Sequence, residues 1–292
     1  MKNKIILRII DVILTVIIWL FFLAVILIGI RVFVFDTFRI PSNSMNPTII
    51  NGDKVLVNKL IFGARIYKNL DFMEGDSLEI WRVKGFRAIR HNDLLVFNYP
   101  YEKNRSISFD ISIVHLKRCV GIPGDTISIR NGFLQASSYL DTLGHYAGQL
   151  ELSLADSIRY EPGIFRALPR GRSGNNWTIR NLGPLYVPEQ GGKINIDSTN
   201  YRLYGSIIEY ETGKKLHFTD SIIMLGKVEI KQYIFLNNYY FAVGDNAINS
   251  RDSRYWGFVP EEYIVGIASR ILYSKDPYTG KYRRDRWLKS LI

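Results

Sequence analysis

Two serines, Ser42 and Ser44, stand between Pro41 and Pro47 in the stretch RIPSNSMNPTIINGDKVLVNK, residues 39–59. Proline fixes φ, removes an amide donor and pushes the preceding residue toward extended backbone. The chain therefore makes a tight polar turn here, where hydroxyl side chains ordinarily cap local amides. A serine becomes a nucleophile only when a neighbouring base takes its proton. The stretch HLKRCVGIPGD, residues 115–125, offers such a base. Read as a strand, it sends His115, Lys117 and Cys119 to one face and Leu116 and Arg118 to the other. Burial of that face would disfavour the ammonium form of Lys117, and a neutral lysine can deprotonate a serine. His115 is the competing base, although no third group to orient its imidazole is evident. The alternative to both is a surface lysine in a basic strand.

A third stretch, FAVGDNAINSRDSRYWGFVPEEYIVG (241–266), concentrates Asp245, Asn246, Asn249, Ser250, Asp252, Ser253 and Arg254. That density of short hydrogen-bonding side chains suits a buried polar network that organises a site, or a turn followed by a salt-bridged loop. Arg254 has Asp252 or Asp245 as its natural ion-pair partner. His91, His115, His145 and His217 lack metal-ligand spacing, which argues against a metalloenzyme. The carboxylates are scattered, with no specific support for glycosidase chemistry. The single Cys119 has neither a disulfide partner nor a CxxC mate.

The elements that must position these residues begin with a greasy segment. Val12 to Ile30 is uncharged throughout, and 19 helical residues span roughly 28 Å, close to a bilayer's hydrocarbon thickness. The run is too long for a signal-peptide core and lacks a small-x-small end, so it is expected to remain as an anchor, residues 12–35. Lys2, Lys4 and Arg8 precede it against Asp11, placing residues 1–11 in the cytoplasm and the rest beyond the membrane. The excess of 38 basic over 27 acidic residues then fits an anionic membrane surface, and nucleic acid is not expected without a recognisable binding signature.

Beyond the anchor, short alternating runs separated by turn signals predict strands over 53–62, 93–100, 112–135 and 227–246. The run 263–274 reads as a final strand or a short helix. Residues 136–226 are richer in Gly, Pro, Ser and Asn with weak periodicity, and are expected to form an inserted subdomain within a core of 36–135 and 227–292. The basic, aromatic tail KYRRDRWLKSLI reads either as a helix resting on a membrane surface or as a solvated tail with one aromatic packed back.

Taken in order behind the anchor, IPSNSMNPTI (40–49) with GDKVLV (52–57), LKRCVGIPGD (116–125), GDN (244–246) and NSRDSRYWGFVP (249–260) closely resemble the type I signal peptidases. The resemblance implies a mainly β fold: a coiled antiparallel β-sheet catalytic core with an inserted β-rich subdomain, tethered by one transmembrane helix. It implies Ser44 as nucleophile and Lys117 as general base, with Ser42 assisting the oxyanion hole. It further implies that Ser250 positions the lysine, that Asp252 and Arg254 brace the site, and that Ile40, Pro41, Met45, Ile49, His115 and Leu116 line the substrate pockets. No cofactor is needed. The expected partners are signal peptides of secretory preproteins and the lipid bilayer, with the protein-export translocon as a further candidate. The expected location is the bacterial cytoplasmic membrane, single-pass, with cleavage after small-x-small sites.

Three positions depart from the family's pattern. Ala247 and Ile248 follow Asn246 where an Arg-Asp pair is usual, and His115 stands where Tyr is common. An anchored, catalytically silent relative that binds signal peptides or partner proteins is the alternative, and intact Ser44 and Lys117 argue against it. A self-cleaving repressor-type peptidase shares a Ser–Lys fold but begins with a DNA-binding domain instead of an apolar span.

Overall fold

The computed structural model describes residues 2–68, 78–101, 106–155, 177–219 and 222–291. Helix α1 (Lys2–Phe33) contains the 28-residue span Ile6–Phe33, with an apolar stretch of mean hydropathy 3.1, the one helix among the described residues long and apolar enough to cross a membrane. Its apolar side chains lie exposed around the helix, as expected of a segment that buries no stripe against the rest of the chain.

Lys117 lies within one large antiparallel sheet, and the Ser44 turn joins two of its strands. Its strands run β1 (Phe35–Arg39), β2 (Asp53–Asn58), β17 (Ile264–Ser274), β5 (Leu94–Asn98), β6 (Val114–Gly121), β15 (Tyr239–Val243) and β16 (Val259–Pro260), with β18 (Lys289–Ser290) against β17. Register shifts interrupt β17 against β2 and β5, and β15 against β6. Such irregularities bend the strands and increase local twist. The run 263–274 is thus strand, consistent with its β-branched content.

Strand β5 is buried on both faces, which explains its continuous apolar run. Leu94 and Val96 pack with Ile40, Met45, Ile49 and Leu116 in a small cluster. Leu95 and Phe97 face a larger one with Cys119, Phe241, Phe258 and Tyr263. The first cluster supports the Ser44 turn, and the second holds the sheet against the rest of the chain.

Minor sheets surround this core. β3 (Arg65–Tyr67) pairs with β4 (Ile80–Arg82), and β7 (Thr126–Arg130) lies between β8 (Phe133–Ala136) and β9 (Leu182–Tyr186). β10 (Lys193–Asn195) pairs with β14 (Gln232–Ile234), while β11 (Leu216–Thr219), β12 (Ile222–Leu225) and β13 (Val228–Glu229) form a meander. The strands of residues 136–226 therefore pair with strands on either side of that stretch. Residues 156–176 and 220–221 of it lie outside the described residues.

The same stretch holds two helices beside its strands, α2 (Tyr146–Leu154) and α3 (Ser198–Thr212). Helix α3 starts at Asp197, whose carboxylate accepts from Thr199 N and Asn200 N, and stops at Gly213 in the left-handed region at φ 65°. Both are ordinary helix boundaries, and Tyr204, Ile207 and Ile208 form its buried face.

The tail is neither a membrane-lying helix nor a free solvated segment. Arg284–Arg286 form one short turn, Lys289 and Ser290 add the strand β18, and Trp287 stays about half exposed with its ring edge-on to Tyr282. The overriding contact is ionic: Arg286 is buried on Asp53.

Candidate active site

The turn that carries Ser44 is held at both ends. Ile40 N donates to Asp53 O, and Gly52 N donates back to Ile40 O, each at 2.9 Å. Between them Asn46 N bonds Asn43 O, Ile49 N bonds Met45 O, and Asn51 N bonds Asn43 Oδ1. The apolar residues Ile40, Met45 and Ile49 point into the small cluster, leaving Ser42 and Ser44 on the open side.

The far end of β15 is stitched to this turn. Asn246 N donates to Ser44 O at 3.1 Å, and Asn246 Nδ2 reaches Asn43 O at 3.2 Å. Gly244 lies so close that a Cβ there would collide with Ser250 Oγ and Ser44 O. Only glycine permits this approach.

Strand β6 brings Lys117 across from the turn. Its Nζ lies 2.5 Å from Ser44 Oγ, over a sequence separation of 73 residues. Lys117 is 4% exposed, and burial lowers its pKa to about 8. Asp252 works against that shift and Arg254 adds to it. A lysine so placed is able to accept the hydroxyl proton near neutral pH, because little free energy separates its two protonation states.

Asp252 and Arg254 pair with each other and are both buried, with Arg254 Nη2 donating to Asp252 Oδ2 at 2.7 Å and Nε to Oδ1 at 2.8 Å. Burial works to raise the Asp252 carboxyl, but Arg254, the Gly244 amide and Lys117 together hold the pKa below the ordinary range. Asp252 Oδ2 also accepts from Gly244 N at 2.9 Å. The pair thus fixes the β15 end against which Ser44 rests. Asp245, the other carboxylate considered for Arg254, pairs instead with Arg118 at 2.6 and 2.7 Å and accepts from Thr48 Oγ1 at 2.5 Å. Arg118 thereby ties β6 to the turn through a cation that does not depend on the residues at 247 and 248.

Ser42 Oγ stands 3.4 Å from Ser44 Oγ, within hydrogen-bond distance. Ser250 is buried beside Gly244, and among the described residues its Oγ makes no hydrogen bond, Lys117 Nζ included. His115 has a buried Nδ1 without a partner and its ring is stacked on Tyr99 at 4.8 Å. Burial, and then Lys117, lower its pKa to about 4. The ring is therefore neutral across the physiological range and behaves as a wall.

A groove of about 760 Å³ runs past Ser44 and Lys117, walled by Ile40, Pro41, Met45, His115 and Leu116. Ile49 lies beneath it in the cluster, with no face on the groove. A second concavity of about 850 Å³, between α3 and β9, shares no lining residue with it and carries no charged side chain.

Sequence reasoning missed two supports. Thr48 bridges the turn to Asp245. Arg286 donates to Asp53 at 2.6 and 3.0 Å and to Thr48 O at 2.9 Å. The separation of 233 residues between Asp53 and Arg286 leaves no local signal for that pair.

A buried lysine on a serine hydroxyl, at the lip of an apolar groove in a coiled β-sheet, defines a serine peptidase class. The family model described as signal peptidase, peptidase S26, matches residues 13–138 and 187–273, and the chain belongs to that family. It is a serine endopeptidase. Among its relatives, Signal peptidase I of Buchnera aphidicola subsp. Schizaphis graminum is 29% identical, covering 84% of this chain and 70% of the relative. Signal peptidase I of Aquifex aeolicus is 28% identical, covering 87% of this chain and 82% of the relative. That of Pseudomonas aeruginosa is 27% identical, covering 85% and 68%.

Proposed function

We propose that the protein removes N-terminal signal peptides from exported preproteins through a Ser44–Lys117 dyad. In the neutral amine the Nζ lone pair accepts the Ser44 hydroxyl proton as Oγ attacks the scissile carbonyl. The oxyanion that forms is held by Ser44 N–H and the Ser42 hydroxyl. Lys117 then hands its proton to the leaving amine, releasing the mature chain and leaving an acyl group on Ser44. Water, deprotonated by the same lysine, clears it. Ser250 is assigned to steady Lys117, and Asp252 with Arg254 to hold the surrounding turn.

The substrate is read as an extended strand beside residues 40–45 and 112–117, adding main-chain hydrogen bonds to the free edges. The shallow apolar floor of Ile40, Met45 and Leu116 favours small side chains, hence small-x-small sites. Residues 36–135 and 227–292 are assigned to the catalytic core and 136–226 to an insertion without chemistry of its own. Helix α1 is assigned as a single membrane anchor, N-terminus in the cytoplasm, so that Ser44 works close to the bilayer where such sites emerge. The export translocon is a natural neighbour for a substrate in that position.

The observation that carries this reading is the contact at 2.5 Å between Ser44 Oγ and the buried Lys117 Nζ. The test is cleavage of a preprotein with a small-x-small site by the detergent-solubilised full chain. Native protein should cut at that site, while Ser44→Ala and Lys117→Ala should not, though both remain folded and in the membrane fraction. Full activity in Lys117→Ala would move the base elsewhere.

A further inference from the structure

The groove beside Ser44 has a charge pattern that its chemistry does not require. Two of its lining residues are arginines, Arg39 and Arg251, and among the described residues no carboxylate lines it. Both arginines are exposed. Among the described residues neither makes an ion pair, whereas Asp252, Asp245 and Asp53 are each already matched to an arginine. The nearest acid along the chain to the groove's 111–114 wall is Asp110, whose Oδ1 accepts from Ser112 N and Oγ and which does not line the groove. Of the other titratable groups there, His115 is neutral at physiological pH, and Lys117 is buried at the dyad and loses its charge above about pH 8. The exposed standing charge of the groove is therefore that of the two arginines.

Their positions differ. Arg251 directly follows Ser250, which lies against Gly244 and the Ser44 carbonyl. It stands at the reacting end of the groove. Arg39 ends β1, five residues before Ser44, on the wall leading away from it. A guanidinium is always charged and offers a planar fork of donors to a carboxylate.

Resting on the peptidase reading above, we propose that Arg251 is a specificity-determining residue that selects substrates bearing an acidic side chain next to the scissile bond, with Arg39 adding to the same preference. Aspartate or glutamate there gains a partner without displacing an existing one, and lysine or arginine is repelled. Because the pair forms at a solvent-exposed lip, its contribution is modest, roughly two- to fivefold for acid over neutral, and it is screened by salt.

The test uses the detergent-solubilised full chain and quenched peptides with one Ala-x-Ala site. Asp, Asn or Lys is placed in turn at the x position and at each of the first three positions after the cleaved bond, and kcat/KM is measured. The expected order at one or more of these positions is Asp, then Asn, then Lys, flattening at 1 M salt. Arg251→Lys should keep the order, Arg251→Ala should flatten it and Arg251→Glu should invert it, a sign change that a merely structural role would not produce. An identical order in native protein and Arg251→Glu, or no discrimination at any position, would overturn the proposal while leaving the peptidase reading intact. If native protein cuts none of the peptides, the Asn series included, the peptidase reading fails and this inference falls with it.

Discussion

Arg286, from the last turn of the chain, is buried on Asp53, at the start of the strand that follows the Ser44 turn. Asp53 Oδ2 also accepts from Ile50 N, and Arg286 Nη2 also donates to Thr48 O. One ion pair therefore fixes two backbone points on the turn, Ile50 N and Thr48 O, from one side, while Asp245 and Arg118 grip Thr48 from the other. Breaking a buried pair by removing one partner leaves an uncompensated charge and costs about 3–5 kcal/mol. Arg286→Ala should lower the melting temperature and reduce kcat more than it raises KM. Arg286→Lys, which keeps the charge but loses the fork, should fall between. Thermal unfolding beside steady-state cleavage would check this, and an Arg286→Ala protein unchanged in both would refute the clamp.

The proposed dyad carries a pH dependence. In it Lys117 acts as the neutral amine, and its pKa is lowered to about 8. Activity should therefore rise with pH through about 8 and level off above it. His115, at about 4, is already neutral throughout that range and should leave the limb unmoved. The kcat/KM profile of His115→Phe beside native protein checks the assignment; a limb near 6 that disappears in the variant would transfer the base to His115.

Lys117 also burdens the fold. Its pKa is lower folded than in the unfolded chain, so between about 8 and 10.5 the unfolded state binds more protons, and stability rises with pH there. Below about 8 the full penalty stands, on the order of 3 kcal/mol. Lys117→Met, similar in length and apolar, should abolish cleavage yet raise the melting temperature by several degrees at pH 7, with the gain shrinking toward pH 10. Equal or lower stability at pH 7 would show that the amine is not strained by burial.

Ser42 stands 3.4 Å from Ser44 Oγ and is assigned a donor's role. Loss of one oxyanion donor typically lowers kcat by about 10²–10³. Ser42→Ala should show a fall of that kind with KM little changed, and Ser42→Thr should recover part of it. A fall confined to KM would make Ser42 a binding residue only.

The legible parts of this protein are those written in local pattern. The apolar run before Arg31, the alternation of DKVLVN and the buried-both-sides run LLVFN each declare their element. The proline-bracketed turn and the strand placing a lysine beside a cysteine make Ser44 and Lys117 candidates only, and it is the resemblance of the ordered motifs to the type I signal peptidases that singles them out. Helix α3 was less visible because its apolar face is mostly tyrosine and isoleucine, which also suit strands, although Asp197 and Gly213 mark its ends. The tail was misjudged for a different reason. Its arginines look like surface charge until folding brings Asp53 to Arg286. Ser250 was assigned to the lysine, yet its hydroxyl points to no partner, a detail of rotamer that spacing does not encode.

The central claim is that Ser44 Oγ becomes acylated. Rapid acid quench of native protein turning over a small-residue peptide ester, followed by peptide mapping, tests it directly. The expected result is the acyl mass on the peptide containing Ser44, absent from Ser44→Ala, which also fails to turn over. An acyl group on another residue, or undiminished turnover by Ser44→Ala, would contradict it.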